Sequence, residues 1–261
     1  MIYGKLPIVL LSTLATQADG TMECNIAHFI LENPQRAARM TIVEMAAQCH
    51  TSVSSLSRFC RDIGLCDFAE LKALLHGAQR HFDLGERPDH AGERLHATMQ
   101  AIRDGLDAFE RSIDMEQIAL LCRKIAAYER VAVFGLLKAG TAAQCLQADL
   151  LLLGKTVVCK LPFAQQIDYM ERATQRDLIV IFSYSGIYFD YLHRRIPAGL
   201  HRAHVALITG AQGLRAEGCV DQVIAFGSSL DQASHPFQMQ AAARVIAKEY
   251  GWQQAERGGE R

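Results

Sequence analysis

The sequence of 261 residues lacks net charge and long apolar runs. Its 27 Lys and Arg residues balance 28 Asp and Glu, so the whole molecule has no field that demands nucleic acid as a partner. No apolar run is long enough to cross a bilayer without charges or helical patterning. Residues 6–14 faintly resemble a signal peptide, but the run is short and contains Pro7, which favours a buried first helix. We therefore expect a cytoplasmic protein with no membrane partner.

The sequence also lacks the residue spacings of metal sites and nucleotide sites. Its eight cysteines include no C-x-x-C pair and lie mostly on apolar faces, so we interpret them as reduced core residues, although an even number also permits disulfides. The four histidines between residues 193 and 235 have no metal-ligand spacing. Residues 154–156 resemble the end of a P-loop, but Asp149 stands where a glycine is needed. We expect no metal, no nucleotide and no other cofactor.

Residues 41–64 have the pattern of two short helices joined by a tight turn. Thr41 is a favourable N-cap and Glu44 follows three residues later, which is the capping-box pattern at the start of a helix. Ser52 is a second N-cap, and Gly64 stands where the second helix should stop. Apolar residues recur at helical spacing in both segments. The stretch is therefore a candidate helix-turn-helix unit.

The polar face of the second predicted helix carries hydroxyl and guanidinium groups. Side chains near the start of a recognition helix reach base edges in the major groove, while others bind phosphates. A solvated face of an ordinary amphipathic helix would have the same pattern. Residues 1–80 hold seven basic and seven acidic residues, which argues against tight non-specific binding. The candidate contacts to double-stranded operator DNA are Ser52, Ser54, Ser55, Ser57, Arg58 and Arg61.

Residues 52–72 resemble the N-terminal domain of RpiR-type bacterial transcriptional regulators. The shared features are Ser52 at the helix start, an Arg-Phe pair in its middle, Gly64 at its end and a following Phe-x-x-Leu-Lys that ends at Lys72. In those regulators this domain precedes a sugar isomerase (SIS) domain that senses a phosphosugar. The resemblance therefore implies a DNA-binding regulator with a small phosphosugar effector.

The apolar pattern changes after residue 92, which divides the chain into two domains. A polar stretch with two Gly and one Pro, residues 83–92, follows a region that is helical in pattern and includes a helix over 22–32. Five short apolar runs then alternate with helical segments, which predicts an α/β domain with a five-stranded parallel sheet in an α-β-α sandwich. These runs are residues 130–134, 156–159, 177–182, 204–209 and 222–226. The predicted division is a helix-turn-helix domain (1–81), a linker and linker helix (82–110), an SIS-like domain (111–252) and a polar tail (253–261).

The loop after the third predicted strand is the strongest candidate for a ligand site. Ligands of parallel sheets bind beyond the carboxyl ends of the strands, and here a strand runs into Ser-Tyr-Ser-Gly followed by a predicted helix. The glycine permits a tight turn, and hydroxyls beside a helix amino terminus suit a phosphate. A plain strand-to-helix turn capped by serine would have the same composition. The run also resembles the phosphosugar loop of SIS domains, which implies ligand contacts from Ser183, Tyr184, Ser185 and Gly186.

Both candidate loops depart from the SIS pattern that they resemble. Tyr188 stands where those domains usually carry a Thr, and residues 135–139 read Gly-Leu-Leu-Lys-Ala instead of Gly-x-Gly-Ser-Ser. Lys138 could supply a positive charge to an anion, and Thr141 a hydroxyl at the helix start. Lys138 could equally be a solvated side chain in a domain that no longer binds phosphosugar. We predict a rebuilt pocket that includes Lys138, Thr141 and Tyr188.

A phosphosugar isomerase is the alternative function for the same fold. An isomerase needs a base that moves a proton between adjacent carbons, typically a Glu, and no Glu follows the Ser-Tyr-Ser-Gly run on its predicted helix. His235 could open a sugar ring, but we prefer to interpret it as a solvated cap of the last helix. The sequence therefore favours a regulator that is not an enzyme. Because two recognition helices bind DNA better than one, we expect at least a homodimer, or a homotetramer.

Overall fold

The computed structural model describes residues 5–76, 88–192, 196–211, 218–229 and 231–259. Residues 5–76 form six helices, of which α4 and α5 are the predicted helix-turn-helix pair. Pro34 ends α2 as predicted, but it also begins a short further helix, because proline is favourable in the first turn. The helices are α1 (Lys5–Thr16), α2 (Met22–Glu32), α3 (Pro34–Arg39), α4 (Ile42–Gln48), α5 (Val53–Asp62) and α6 (Phe68–His76).

The caps of α4 and α5 are those expected from the sequence. The backbone N–H of Thr41 donates to Glu44 Oε2 at 2.7 Å, while Thr41 Oγ1 accepts from the Glu44 amide at 3.2 Å. Ser52 Oγ accepts from the Ser55 amide at 3.1 Å. The chain turns between the helices at His50, which has a positive φ of 51°. These bonds satisfy amide groups that have no partner within the helix, so they fix where each helix begins.

Residues 88–259 form an α/β domain around an all-parallel sheet, and the predicted fold class is confirmed. The strands of the described residues are ordered β2-β1-β3-β4-β5. Their ends agree with the predicted runs to within two residues. The strands are β1 (Arg130–Gly135), β2 (Val158–Cys159), β3 (Asp177–Phe182), β4 (His204–Thr209) and β5 (Gln222–Ala225), and the helices are α7 (Ala91–Ser112), α8 (Met115–Ala127), α9 (Lys138–Leu152), α10 (Phe163–Arg172) and α11 (His235–Gly259).

The register of the two central strands places the two candidate ligand loops side by side. Gly135 at the end of β1 is paired with Phe182 at the end of β3. Every residue of β3 is buried, because helices cover both faces of the sheet. The loops that follow these strands therefore leave the same edge of the sheet at the same height.

The structure corrects two details of the sequence interpretation. The α-helix predicted directly after Gly186 is absent from residues 187–192, where turns lead into a short 3₁₀ helix, Phe189–Leu192. Residues 253–259, predicted as a polar tail, continue α11, and Gln253 Nε2 donates to the carbonyl of Ala119 at 3.2 Å. Residues 82–87 of the predicted linker lie outside the described residues, and α7 begins at Ala91.

Two hydrophobic cores cover the two faces of the sheet. One is filled by side chains of the helical domain together with side chains of β1, β3, β4 and α10, so it belongs to both domains. The other is filled by α7, α8, α9 and α11. All eight cysteines are free thiols, and Cys66 is the exposed exception to their predicted place in the core. No helix among the described residues is long and apolar enough to cross a membrane.

Candidate functional sites

Helix α5, the candidate recognition helix, buries its apolar face and presents charged side chains to solvent. Leu56, Phe59 and Cys60 are buried in the helical domain. Arg58 and Arg61 are exposed and lie three residues apart, so they share one side of the helix. A helix that enters the major groove would use this side for bases and phosphates. The exposed side of α5 is therefore the candidate DNA-binding surface.

Two of the serines at the start of α5 stabilise the start of the helix, and the others remain candidate contacts to DNA. Ser52 Oγ accepts from the Ser55 amide and lies 2.9 Å from the hydroxyls of both Ser54 and Ser55. Ser52 and Ser55 thus stabilise the helix start through the cap. Ser54 is exposed, whereas Ser57 is half-buried. Ser54 is consequently the serine of this set that is best placed to reach DNA without breaking the cap.

A cavity of about 70 Å³ lies beyond the carboxyl ends of β1 and β3. It brings together five of the predicted ligand residues, and its polar groups are hydroxyls, one ammonium group and one imidazole. Among the described residues that line it there is no carboxylate. The lining residues are Ile8, Leu136, Leu137, Lys138, Ala139, Phe182, Ser183, Tyr184, Ser185, Ile187, Tyr188 and His235.

The second loop holds its serines with internal hydrogen bonds. The Ser183 amide donates to the Ile208 carbonyl at 3.0 Å, and Ser183 Oγ accepts from the Tyr188 amide at 3.2 Å. Gly186 has a φ of 74° and closes the turn by donating to the Ser183 carbonyl, so a side chain at this position would be strained. Ser183 Oγ keeps its own proton to donate. The loop can therefore offer a hydroxyl donor to an anion in the cavity.

Tyr188 ties the second loop to the first. Its ring is buried, and its hydroxyl donates to Gln166 Oε1 at 2.6 Å. Gln166 Nε2 in turn donates to the carbonyl of Gly135, at the end of β1, at 2.9 Å. Burial raises the pKa of Tyr188, so the phenol stays protonated and remains a donor. The tyrosine that replaces the usual threonine thus both lines the cavity and joins the two loops.

The first loop carries backbone strain at Leu137. This residue has φ 49° and ψ −118°, a conformation that glycine adopts readily and a side chain does not. Lys138 follows as the first residue of α9 and lines the cavity. Thr141, which we expected to line the pocket, is exposed outside the cavity lining, and its hydroxyl donates to the Leu137 carbonyl at 3.3 Å. The first loop therefore contributes a cation to the cavity, without the Thr141 hydroxyl.

Replacement of Leu137 by glycine should relieve this strain. We expect Leu137→Gly to be more stable than Leu137→Ala by about 1 to 3 kcal/mol, because both variants lose the same side chain and alanine keeps the Cβ. Urea denaturation of the two variants measures the difference in free energy of unfolding. Equal stability, or a more stable alanine variant, would contradict the strained backbone.

His235 is a cavity residue that sequence reasoning placed in solvent. It is 5% exposed, and its ring centroid lies 4.7 Å from that of Tyr184. Burial, with a smaller contribution from the charge of Lys138, lowers the pKa of His235 to about 4, so it is neutral at physiological pH. Nδ1 lies 3.2 Å from the Asp231 carbonyl, which only accepts, so Nδ1 carries the proton and Nε2 is an acceptor. A neutral imidazole of this kind can accept a hydrogen bond from a sugar hydroxyl.

Comparisons with known proteins agree with this arrangement. Residues 15–80 match a helix-turn-helix domain of the rpiR family. The chain is 30% identical over 129 residues to an uncharacterised HTH-type transcriptional regulator of Caldanaerobacter subterraneus subsp. tengcongensis, an alignment that covers 46% of this chain and 45% of that protein. The chain thus aligns with less than half the length of that relative.

Two solved structures share the fold. The NanR protein of Vibrio vulnificus, solved in complex with ManNAc-6P, superposes with a TM-score of 0.52 at 19% identity and covers 96% of this chain and 97% of its own. The sugar isomerase domain of an RpiR transcription factor from Sphaerobacter thermophilus superposes with a TM-score of 0.50 at 16% identity, covering 62% of this chain and 90% of that one. The chain thus carries a domain that matches the rpiR-family helix-turn-helix model, followed by a domain that shares the fold of these two structures.

Proposed function

We propose that this chain is a DNA-binding transcriptional regulator whose SIS-like domain binds a phosphorylated sugar or a related anion. The observation that carries the proposal is the cavity at the ends of β1 and β3, where Lys138 and the hydroxyls of Ser183 and Ser185 meet. A phosphate needs donors and positive charge, and this wall offers both without an opposing carboxylate among its described residues. The helix-turn-helix domain on the same chain would bind the operator DNA.

The size of the cavity bears on how an effector would bind. A volume of about 70 Å³ has room for a few water molecules, since each needs at least about 10 to 15 Å³ by the same measure. A sugar phosphate is larger than this volume, and the cavity is partly open to solvent, so the ligand would extend beyond the mouth of the cavity or displace part of its wall. A binding event that moves the wall is the kind that can shift a conformational equilibrium.

Binding without turnover is the function that the polar groups favour. Proton transfer between sugar carbons needs a positioned base, and the titratable groups among the described lining residues are Lys138, His235 and two tyrosines. Nε2 of His235 is an acceptor, but its pKa of about 4 makes it a weak base. Conversion of a sugar phosphate into its isomer by the purified protein would favour the isomerase alternative instead.

Two measurements test the proposal directly. A gel-shift assay with the DNA upstream of the protein's own gene should give a discrete complex, and random DNA of equal length is the control. Calorimetry with sugar phosphates and amino-sugar phosphates, including ManNAc-6P, should identify at least one ligand. If DNA binds and no compound of the panel does, the SIS-like domain binds a different ligand or is retained for dimerisation.

We also propose that α9 and α11 form the dimer surface. Leu150 is buried, but the next three leucines face solvent, and Leu152 is 86% exposed. Leu153 packs against Gly251, so the exposed Trp252 continues the same apolar patch. Large exposed apolar patches of this kind mark association sites.

Leu152→Glu should therefore convert the dimer to a monomer. Glutamate at this position would be a buried, unpaired charge in the assembled protein, whereas it costs little on an exposed surface. Sedimentation at micromolar concentration reports the mass, and Arg103→Glu is a charge-changing control at an exposed position of α7, outside the proposed surface. A wild-type monomer, or an unchanged dimer in Leu152→Glu, would remove α9 from the interface.

A further inference from the structure

The wall of the sensor cavity is not made by the SIS-like domain alone. Ile8 of α1, in the helical domain, contributes to the lining. One turn further along α1, Ser12 Oγ donates to the carbonyl of Leu161 at 3.3 Å, and Leu161 precedes α10. The helical domain thus contacts the SIS-like domain at the cavity. A ligand that displaces the wall would act at the junction between the domains.

A pair of aromatic rings leads from the cavity to this junction. The ring of Tyr188 lies edge-to-face with that of Phe163, with centroids 5.9 Å apart and an interplanar angle of 86°. Phe163 is the first residue of α10 and is 3% exposed. Because the Tyr188 amide donates to Ser183 Oγ, a movement of Ser183 would shift Tyr188 against Phe163.

The other side of Phe163 faces the end of the recognition helix. A Cβ built on Gly64 would lie 2.6 Å from Phe163 Cε1, so the ring occupies the space that a side chain at position 64 would need. Gly64 has a φ of 82° and donates to the Arg61 carbonyl at 2.9 Å, while the Leu65 amide donates to the Cys60 carbonyl at 2.8 Å. These two bonds close the carboxyl end of α5.

We propose that Phe163 is a positioning residue that couples the cavity loop to the recognition helix, along the path Ser183, Tyr188, Phe163, Gly64. This deepens the proposed function, on which it rests for its biological role. An anion that accepts a hydrogen bond from the Ser183 hydroxyl repositions Ser183 Oγ, which accepts from the Tyr188 amide. The displaced Tyr188 ring presses on Phe163, and Phe163 moves the closed end of α5 that carries Arg61. Effector binding and DNA binding thereby act on the same packed contact.

The coupling can be measured without an effector, by hydrogen exchange on the full chain. Ser183→Ala removes the acceptor of the Tyr188 amide at one end of the path. Exchange of the segment that contains the Gly64 and Leu65 amides is read at the other end. We expect Ser183→Ala to accelerate this exchange by about threefold or more in the wild-type background, and to have no effect in the Phe163→Leu background. A contact that only fills space would give the same effect of Ser183→Ala in both backgrounds.

Phe109→Leu is the matched control background. Phe109 is also buried and connects to the cavity through two other aromatic rings. Its ring centroid lies 5.1 Å from that of Phe226, and the Phe226 centroid lies 6.3 Å from that of the cavity residue Tyr184. Phe109 does not lie on the proposed path to Gly64, so the effect of Ser183→Ala should persist in the Phe109→Leu background. Thermal unfolding of each variant establishes that exchange is measured on folded protein. An equal effect of Ser183→Ala in the wild-type and Phe163→Leu backgrounds, no effect in the wild type, or loss of the effect in the Phe109→Leu background overturns the coupling. Failure of every sugar phosphate to bind would overturn the sensor proposal instead.

Discussion

Replacing Arg58 by alanine should weaken binding to the operator by roughly 1 to 3 kcal/mol, or about 5- to 150-fold, and Arg61→Ala should do the same if it also contacts a base. Both guanidinium groups are exposed on one side of α5, and neither side chain is among the residues that α5 buries in the core of the helical domain. The free energy of unfolding should therefore change little. Fluorescence anisotropy with labelled operator at fixed salt measures the loss.

The salt dependence separates the two kinds of contact. An arginine that binds phosphate weakens operator and random DNA alike and lowers the salt slope by about one when it is removed, whereas one that reads a base affects the operator alone. Arg176→Ala is the control, because it removes an exposed guanidinium from the SIS-like domain, where it pairs with Glu129. Tight operator binding by the double variant Arg58→Ala, Arg61→Ala would exclude this side of α5 as the DNA-binding surface.

Ser183→Ala and Lys138→Ala should each reduce the affinity for a sugar phosphate by about 10- to 100-fold, because a hydrogen bond to a charged group contributes about 1.5 to 3 kcal/mol. Lys138 begins α9 and Ser183 begins the turn after β3, so each belongs to a different loop that lines the same cavity. Calorimetry against a ligand found in the panel measures both losses.

Thr141→Ala is the control that the structure supplies. Its hydroxyl is exposed and bonded to the Leu137 carbonyl outside the cavity lining, so its removal should leave the affinity within about twofold of wild type, as for an exposed substitution. A large loss in Thr141→Ala together with unchanged affinity in Ser183→Ala would place the ligand elsewhere at the sheet edge.

The regular elements could be predicted because each carries its own signal. Thr41 and Ser52 begin helices through hydrogen bonds to residues three positions away, and these bonds are visible as spacing in the sequence. The runs over 177–182 and 204–209 are short, apolar and rich in β-branched residues, which favours a buried strand. Local pattern and tertiary structure therefore agree over these segments.

The candidate site was harder to predict because its features depend on distant residues. Burial of His235 requires Tyr184, which lies about fifty residues earlier in the chain. The strained conformation of Leu137 has no marker in a leucine, whereas a glycine would have indicated it. The helix expected after Gly186 is displaced because Tyr188 turns inward to reach Gln166, a contact that no local pattern encodes.

The hydrophobic core that both domains fill has a consequence for how chains with these two domains diversify. Phe163 lies where any side chain larger than hydrogen at position 64 would collide, so the two surfaces match only as a pair. Recombination in the polar stretch between the domains would join a helical domain to an SIS-like domain with a different surface, and the shared core would be left with voids or clashes. New specificities for this chain would therefore be acquired more easily by substitutions within each domain than by exchange of whole domains.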